Sequence, residues 1–236
     1  MAYFSPEDME ALALSLKTAA VATGLNALPA ILLGAWASRL GPRRKAIAES
    51  FILLPMVLPP VVLGYALLLA FGQRSPLGHF LREAFGLRLP FTWAGAVLAA
   101  MIVSFPLFAR SVLVSMSMSD GKLEEASFVL GRGPAMTFLK VTVPLAMPGI
   151  AGGAALCFAR ALGEFGATVA FAGSIAGKTR TLPLAIYGAL QSPGGEDRSL
   201  RLSLLSLGIA LASMAVSSVA QRVFSARAGR EAADAA

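Results

Sequence analysis

The chain has 236 residues, of which 56% are hydrophobic and 14% are charged, and its mean hydropathy is +0.72. A soluble domain carries about 25% charged residues, so this composition excludes an ordinary soluble protein and indicates one that is embedded in lipid. The net charge of +7 fits basic loops at a membrane surface. No basic stripe is interleaved with aromatic residues, which argues against a nucleic-acid partner.

Five apolar stretches have about the 20 residues that a helix needs to cross the hydrocarbon core. Because backbone polar groups in lipid must pair internally, we predict that all five are helices. The chain is therefore expected to be an all-α integral membrane protein, with one transmembrane domain over residues 12–223, an external N-terminus over 1–11 and a cytoplasmic tail over 224–236. The predicted spans are 12–37, 51–71, 93–115, 146–172 and 200–223.

The second predicted span contains three prolines, Pro55, Pro59 and Pro60. Each proline removes a backbone donor, so we predict a kinked helix. Two interpretations of the kink remain open. It packs against a neighbouring helix, or it lines a path through the membrane, where water satisfies the freed carbonyl groups.

The basic residues between the spans are distributed unequally. Eleven lie on the side of the first connection, the third connection and the tail, and seven lie on the opposite side. Cytoplasmic loops carry the excess of lysine and arginine, so we expect the N-terminus outside and the C-terminus inside. The apolar segment 182–192 is too short to cross, and we predict a short surface or re-entrant helix there.

The chain has one cysteine and one histidine. Cys157 lies in an apolar stretch and is predicted to be a small buried side chain. His79 lies in a connecting segment, which argues against a histidine metal site or a Ser-His-Asp triad. We therefore predict no metal, no cofactor and no enzymatic activity for this chain.

The connection between the third and fourth spans has the pattern of two short helices joined by a bend. Residues 122–130 favour a helix, since leucine and alanine recur on one face. Gly131 and Gly133 are able to adopt positive φ values, which permits a sharp turn. Pro134 suits the first turn of a second helix, predicted over about 134–141.

The spacing of polar, small and aliphatic residues in this connection resembles the coupling loop of permease subunits in binding-protein-dependent ABC importers. The resemblance implies the MetI-like permease fold, with a cytoplasmic coupling loop over 119–144 that docks on a separate ATPase subunit. Ser127 stands where the family usually has a second alanine, which is a small change. An amphipathic connector that rests on lipid headgroups is the alternative. The positions that the resemblance assigns to ATPase coupling are Glu125, Ala126, Gly131 and Pro144.

Gly177-Lys178-Thr179 has the ending of a phosphate-binding loop. That motif requires glycine where Ala172 stands, and a strand before it, and the sequence has neither. We therefore predict that the chain binds no ATP and that the energy for any active transport comes from a partner.

The fourth predicted span contains two charged residues, Arg160 and Glu164, four positions apart and so predicted to lie on one helix face. Charged residues in a span usually face protein or a water-filled cavity. The pair is either a structural ion pair or part of a path or gate. Our path hypothesis comprises Arg160, Glu164 and Thr168.

The segments 160–173 and 179–187, with residues 58–65 in the second span, are similar to molybdate permease subunits. The related sulfate permeases share the Arg-Ala-x-Gly-Glu part. The resemblance implies a multi-pass inner-membrane homodimer that imports molybdate with two copies of an ATPase subunit and an extracytoplasmic molybdate-binding protein. A sulfate or tungstate permease and a non-transporting membrane scaffold are the alternatives.

Overall fold

The computed structural model describes residues 4–119 and 121–234, with side chains up to Val219 except that of Ser217. Every regular element within these residues is helical, which confirms the predicted all-α class. The elements are α1 Pro6–Ser38, α2 Pro42–Val57, α3 Pro60–Phe71, α4 Pro76–Phe85, α5 Trp93–Ser117, α6 Gly121–Val129, α7 Pro134–Thr137, a π-helical turn Phe138–Thr142, α8 Val143–Leu145, α9 Met147–Leu162, α10 Gly166–Phe171, α11 Leu182–Leu190 and α12 Glu196–Asp234.

Three helices are long and apolar enough to cross a membrane alone, namely α1, α5 and the Glu196–Val216 part of α12. They correspond to the first, third and fifth predicted spans. Two further spans are obtained when α2 with α3, and the segment Pro134–Leu145 with α9, are each counted as one bent crossing. The described chain therefore has three to five spans, and the predicted number of five is the upper value.

The second predicted span is broken rather than kinked. α2 ends at Val57, α3 begins at Pro60, and the two helix axes differ by 98°. A residue before proline is driven towards extended backbone, and Leu58 and Pro59 both precede proline and have ψ values of 139° and 129°. Two consecutive non-helical residues separate the helices, so the expectation of one kinked helix was wrong.

α3 packs tightly against α10, which places the broken second span beside the end of the fourth. A Cβ atom on Gly64 would lie 2.7 Å from the carbonyl oxygen of Ala167, and one on Gly166 would lie 2.7 Å from Cβ of Pro60. Small residues at such positions let helix backbones approach closely in membranes. The contact favours the interpretation that the break packs against a neighbouring helix.

α5 is the centre of the bundle and packs most extensively against α1 and α9. At this junction, Asn26 Nδ2 donates to the Met101 carbonyl oxygen at 3.0 Å and to Ser104 Oγ at 3.3 Å. Cys157 Sγ donates to Ser104 Oγ at 3.2 Å. Cys157 is fully buried, as predicted, and it joins a polar cluster that links all three helices.

Within the predicted segment 182–192, Leu182–Leu190 form the short helix α11, which is too short to span, as predicted. The Leu182 backbone N–H donates to Ser15 Oγ of α1 at 2.6 Å, and Leu182 packs in a buried cluster with Leu202 of α12. α11 is therefore held between the first and last spans. Its position relative to the membrane surface stays a prediction.

Replacing Gly34 with alanine is expected to destabilise the bundle by about 1–3 kcal/mol, the usual cost of overpacking. A Cβ atom there would lie 2.7 Å from Cγ1 of the buried Val112. Gly24, on the same helix, has no atom within 4 Å of the corresponding position, so Gly24→Ala is the matched control. Thermal unfolding in detergent should separate the two variants, and equal unfolding midpoints would contradict the packing explanation.

Candidate functional site

The connection between α5 and α9 is a helical hairpin, which we call the coupling hairpin and define as residues 121–145. Its first helix, α6, ends at Val129, close to the predicted boundary. Gly131 has φ +79°, and its N–H donates to the Phe128 carbonyl oxygen at 2.9 Å. Gly133 has φ −71°, so only one of the two glycines uses a positive φ value. The predicted bend is confirmed, and it depends on Gly131.

The second arm of the hairpin is longer than predicted. It begins at Pro134, as expected, but continues through the π-helical turn to Leu145 instead of ending near residue 141. Pro144 lies in this last part and is exposed. The chain then turns by 68° at Ala146 into α9.

Two hydrogen bonds between side chains hold the arms of the hairpin together. The Ser127 and Thr137 hydroxyl groups are buried and lie 2.9 Å apart. Thr142 Oγ1 donates to Glu124 Oε1 at 2.6 Å. A buried hydroxyl that lacked its partner would cost about 1–3 kcal/mol, so these bonds fix the relative position of the arms. Serine at position 127, where the family usually has alanine, is part of this arrangement.

Glu124 also joins the hairpin to the end of the first span. Its carboxylate lies 3.5 Å from Arg39, the residue that follows α1. Glu125, which the family resemblance assigns to ATPase coupling, is exposed instead, as is Ala126. The two adjacent glutamates therefore have different surroundings. Glu124 contributes to the internal structure, and Glu125 is available to another molecule.

The outer surface of the hairpin is strongly apolar. Val129, Leu130 and Leu139 are 87%, 77% and 64% exposed. Leu123 and Phe128 are also exposed. Large exposed apolar side chains, clustered beside polar residues, mark contact surfaces for other proteins or for a membrane. The hairpin therefore presents a contact surface around the predicted coupling residues.

The predicted pairing of Arg160 and Glu164 is found, but not within a continuous helix. α9 ends at Leu162, and Glu164 lies in the interruption before α10 begins at Gly166. Arg160 donates to Glu164 Oε2 at 2.8 Å. The expectation of one helix over 146–172 was therefore wrong.

The physical reason for the break is the second bond of the same carboxylate. Glu164 Oε1 accepts a hydrogen bond from the Ala167 backbone N–H at 2.8 Å, which caps the start of α10. A charged acceptor satisfies an N–H group that would otherwise lack a partner at the helix start. Glu164 is almost completely buried, whereas the Arg160 side chain is 29% exposed. The pair thus has a buried anion and a partly accessible cation.

Thr168, the third residue of our path hypothesis, is buried in α10 one turn after Glu164. The break is also braced from α11, because the rings of Phe165 and Tyr187 lie 5.0 Å apart at their centroids. Of the three residues proposed for the path, only Arg160 has an appreciably exposed side chain in the described chain.

The Gly177-Lys178-Thr179 segment forms a closed turn. Thr179 Oγ1 accepts from the Ile175 backbone N–H at 2.9 Å and donates to the Gly173 carbonyl oxygen at 3.2 Å. In a phosphate-binding loop the hydroxyl at this position contacts the magnesium ion, and a strand precedes the loop. Here the hydroxyl is engaged locally, and the regular element before the turn is the helix α10 and not a strand.

Within residues 4–119 and 121–234 no group of three or more histidine, cysteine, aspartate or glutamate side chains is arranged to hold a metal ion. The charged side chains described above form ion pairs and hydrogen bonds that stabilise the hairpin and the helix break.

The sequence matches known proteins over most of its length. The family model described as "Binding-protein-dependent transport system inner membrane component" matches residues 30–229. The molybdenum transport system permease protein ModB of Escherichia coli (strain K12) is 44% identical over 224 residues, which are 94% of this chain and 97% of that protein. ModB of Haemophilus influenzae is 43% identical over 211 residues, with 89% and 92% covered.

Solved structures with the same fold are ABC importers. A bacterial ABC transporter that imports the acidic polysaccharide alginate aligns with a TM-score of 0.73 at 13% identity, covering 93% of this chain and 80% of that one. The MetNI methionine ABC transporter, in inward-facing conformations, aligns with a TM-score of 0.64 at 16% identity, covering 94% and 99%. At these identities the likeness shows the fold alone, which is that of an ABC importer permease.

Proposed function

The chain belongs to the family of binding-protein-dependent transport system inner membrane components, and we propose that it is the permease subunit of an ABC importer that carries molybdate into the bacterial cytoplasm. The relatives named as molybdenum transport permeases support molybdate as the cargo. Their matches extend over the spans, the coupling hairpin and the helix break alike.

The observation that carries the proposal is the coupling hairpin. Its arms are fixed by internal hydrogen bonds, while its outer face exposes Val129, Leu130 and Leu139. A rigid apolar projection of this kind suits docking into a groove of another protein. In the proposed complex, two copies of this chain form a homodimer, and each hairpin docks on one copy of the ATPase subunit, through Glu125, Ala126 and the bend at Gly131.

The proposed orientation follows from the basic residues. The N-terminus lies outside, where an extracytoplasmic binding protein delivers the cargo, and the hairpin and the C-terminus lie in the cytoplasm. The pairing of Arg39 with Glu124 supports this arrangement, because it brings the first connection and the hairpin together at one end of the bundle.

The need for ATP follows from the charge of the cargo. Moving a doubly charged oxyanion inward against an inside-negative potential of 100 mV costs about 4.6 kcal/mol, from about 2.3 kcal/mol per charge. ATP-driven closure of the two ATPase subunits would draw the two hairpins together. The movement would reach the spans through the hydrogen-bonded arms and through Arg39.

Reconstituted vesicles that contain the permease, its ATPase subunit and the cognate binding protein should take up radioactive molybdate only when ATP is supplied to the hairpin side. Uptake of molybdate, tungstate and sulfate at equal concentrations measures the cargo preference. A preference for sulfate or tungstate would show that the preferred anion, and not molybdate, is the cargo. Failure of any ATPase subunit to copurify would instead favour the membrane scaffold.

A further inference from the structure

A groove runs between α5 and α9 near the end of the bundle that carries the coupling hairpin. Its volume is about 470 Å³. One wall comes from the last turns of α5 and the other from the first turns of α9, and none of the described residues that line it is acidic. The lining residues that matter here are Arg110, Ser111, Ser115, Gly149, Gly152 and Leu156.

The groove lies on the helix face that leads to Arg160. Gly152, Leu156 and Arg160 follow one another at intervals of four residues, which places them along one stripe of α9. With a rise of about 1.5 Å per residue, Gly152 and Arg160 are about 12 Å apart along the axis. An ion that leaves Arg160 along this stripe towards the hairpin end therefore enters the groove.

Arg110 is the cation of this groove, and it has no carboxylate partner among the described residues. Arg39, Arg160 and Arg198 each contact a carboxylate. For Arg110, the structure gives neither an ion pair nor a hydrogen bond with any residue in the described ranges. Arg110 is exposed on α5, one turn before the exposed Val114. A cation in a span is costly unless an anion or water compensates it.

From these observations we infer that the groove is the cytoplasmic-side subsite of the oxyanion path and that Arg110 binds the passing dianion after it leaves Arg160. The inference rests on the proposed function, because the cargo and the orientation come from it. The second copy of the chain covers the open side of the groove, since an ion cannot face lipid. Ser111 offers a hydroxyl group on the same wall as Arg110, whereas the Ser115 hydroxyl donates to the Ala146 carbonyl oxygen at 3.4 Å.

A structural alternative makes a different prediction. Arg110 precedes the end of α5 at Ser117 by seven residues, or about 10 Å, so its side chain is also able to extend to lipid headgroups. In that case its charge anchors the helix and has no part in transport. The two roles are separated by measuring uptake and assembly together.

The test compares three variants in the reconstituted vesicles, namely Arg110→Gln, Arg110→Lys and Arg44→Gln. Arg44 lines a separate groove between α1 and α2, so its variant controls for loss of one basic charge near the same end of the bundle. We expect Arg110→Gln to assemble with the ATPase subunit but to lower molybdate uptake about tenfold, the effect of about 1.4 kcal/mol on a barrier. Arg110→Lys should regain at least half of the uptake, and Arg44→Gln should transport normally.

Unchanged uptake in Arg110→Gln would overturn the inference, and so would loss of assembly in that variant or an equal loss of uptake in Arg44→Gln. Wild-type vesicles measured beside the variants distinguish this failure from failure of the proposed function. If the wild type transports molybdate while Arg110→Gln does so equally well, only the subsite is rejected. If the wild type transports none of molybdate, tungstate and sulfate, both are rejected.

Discussion

Replacing Gly131 with valine is expected to abolish most ATP-driven uptake while the protein still folds in the membrane. Gly131 has φ +79°, a conformation in which a β-branched residue is strongly disfavoured. No atom lies within 4 Å of its Cβ position, so the effect arises from backbone strain and not from a clash. Relief of that strain changes the angle between α6 and α7, and with it the apolar face that docks on the ATPase subunit.

Gly133 provides the matched control for this experiment. It is two residues away and also has open space around its Cβ position, but its φ of −71° is accessible to any residue. We expect Gly131→Val to lower uptake and copurification of the ATPase subunit about tenfold or more, which corresponds to about 1.4 kcal/mol of docking free energy. Gly133→Val should have a much smaller effect, and Gly131→Asn should recover part of the activity, because asparagine tolerates this conformation. Equal losses at both positions would contradict the backbone explanation.

The second large effect is expected at the ion pair. Removing Arg160 alone leaves the carboxylate of Glu164 buried with the Ala167 N–H as its remaining described partner. Breaking a buried pair by removing one member costs about 3–5 kcal/mol, so Arg160→Gln is expected to reduce the yield of folded protein sharply. Loss of uptake in that variant would therefore reveal nothing about the anion path.

The double variant Arg160→Gln with Glu164→Gln separates stability from transport. The new glutamine at position 164 has an oxygen that is able to accept from the Ala167 N–H, and no unpaired charge remains. We expect the double variant to fold nearly as well as the wild type, measured by its thermal midpoint in detergent, but to import molybdate at least about tenfold more slowly. Normal uptake by a folded double variant would show that the pair is structural only.

Prolines illustrate what the sequence could predict about the spans. Pro29 and Pro106 lie inside α1 and α5, and both helices continue past them. Pro59 and Pro60 end one helix and begin another. A single proline removes one donor and is accommodated by neighbours, whereas adjacent prolines also force two residues out of helical backbone. The number of prolines therefore predicts only that a helix is disturbed, whereas two adjacent prolines predict that it ends.

The break in the fourth span could not be predicted from hydropathy, because residues 163–165 lie in an apolar window that is long enough to cross. It depends on a carboxylate that bonds the backbone N–H three residues later. Gly163 and Gly166, which flank Glu164 at the break, were the one local feature of the sequence that indicated an interruption. They fit a helix contact equally well, and Gly166 does meet Pro60.

The coupling hairpin was the most predictable part of the site, since its first helix, its bend and the start of its second helix follow from local sequence. The contacts between its arms were not predictable. Ser127 meets Thr137, and Thr142 meets Glu124, only after the angle at Gly131 is fixed. For the same reason the sequence could not distinguish the internal Glu124 from the exposed Glu125.

Cys157 makes this chain convenient for spectroscopy. It is the only cysteine among 236 residues, and it is fully buried, so thiol reagents should leave it unmodified in the folded protein. A cysteine introduced at the exposed Met136 of α7, which is not one of the proposed docking positions, would then carry a spin label alone, without prior removal of native thiols. In the proposed homodimer, one such label on each copy would report the separation of the two coupling hairpins through the transport cycle.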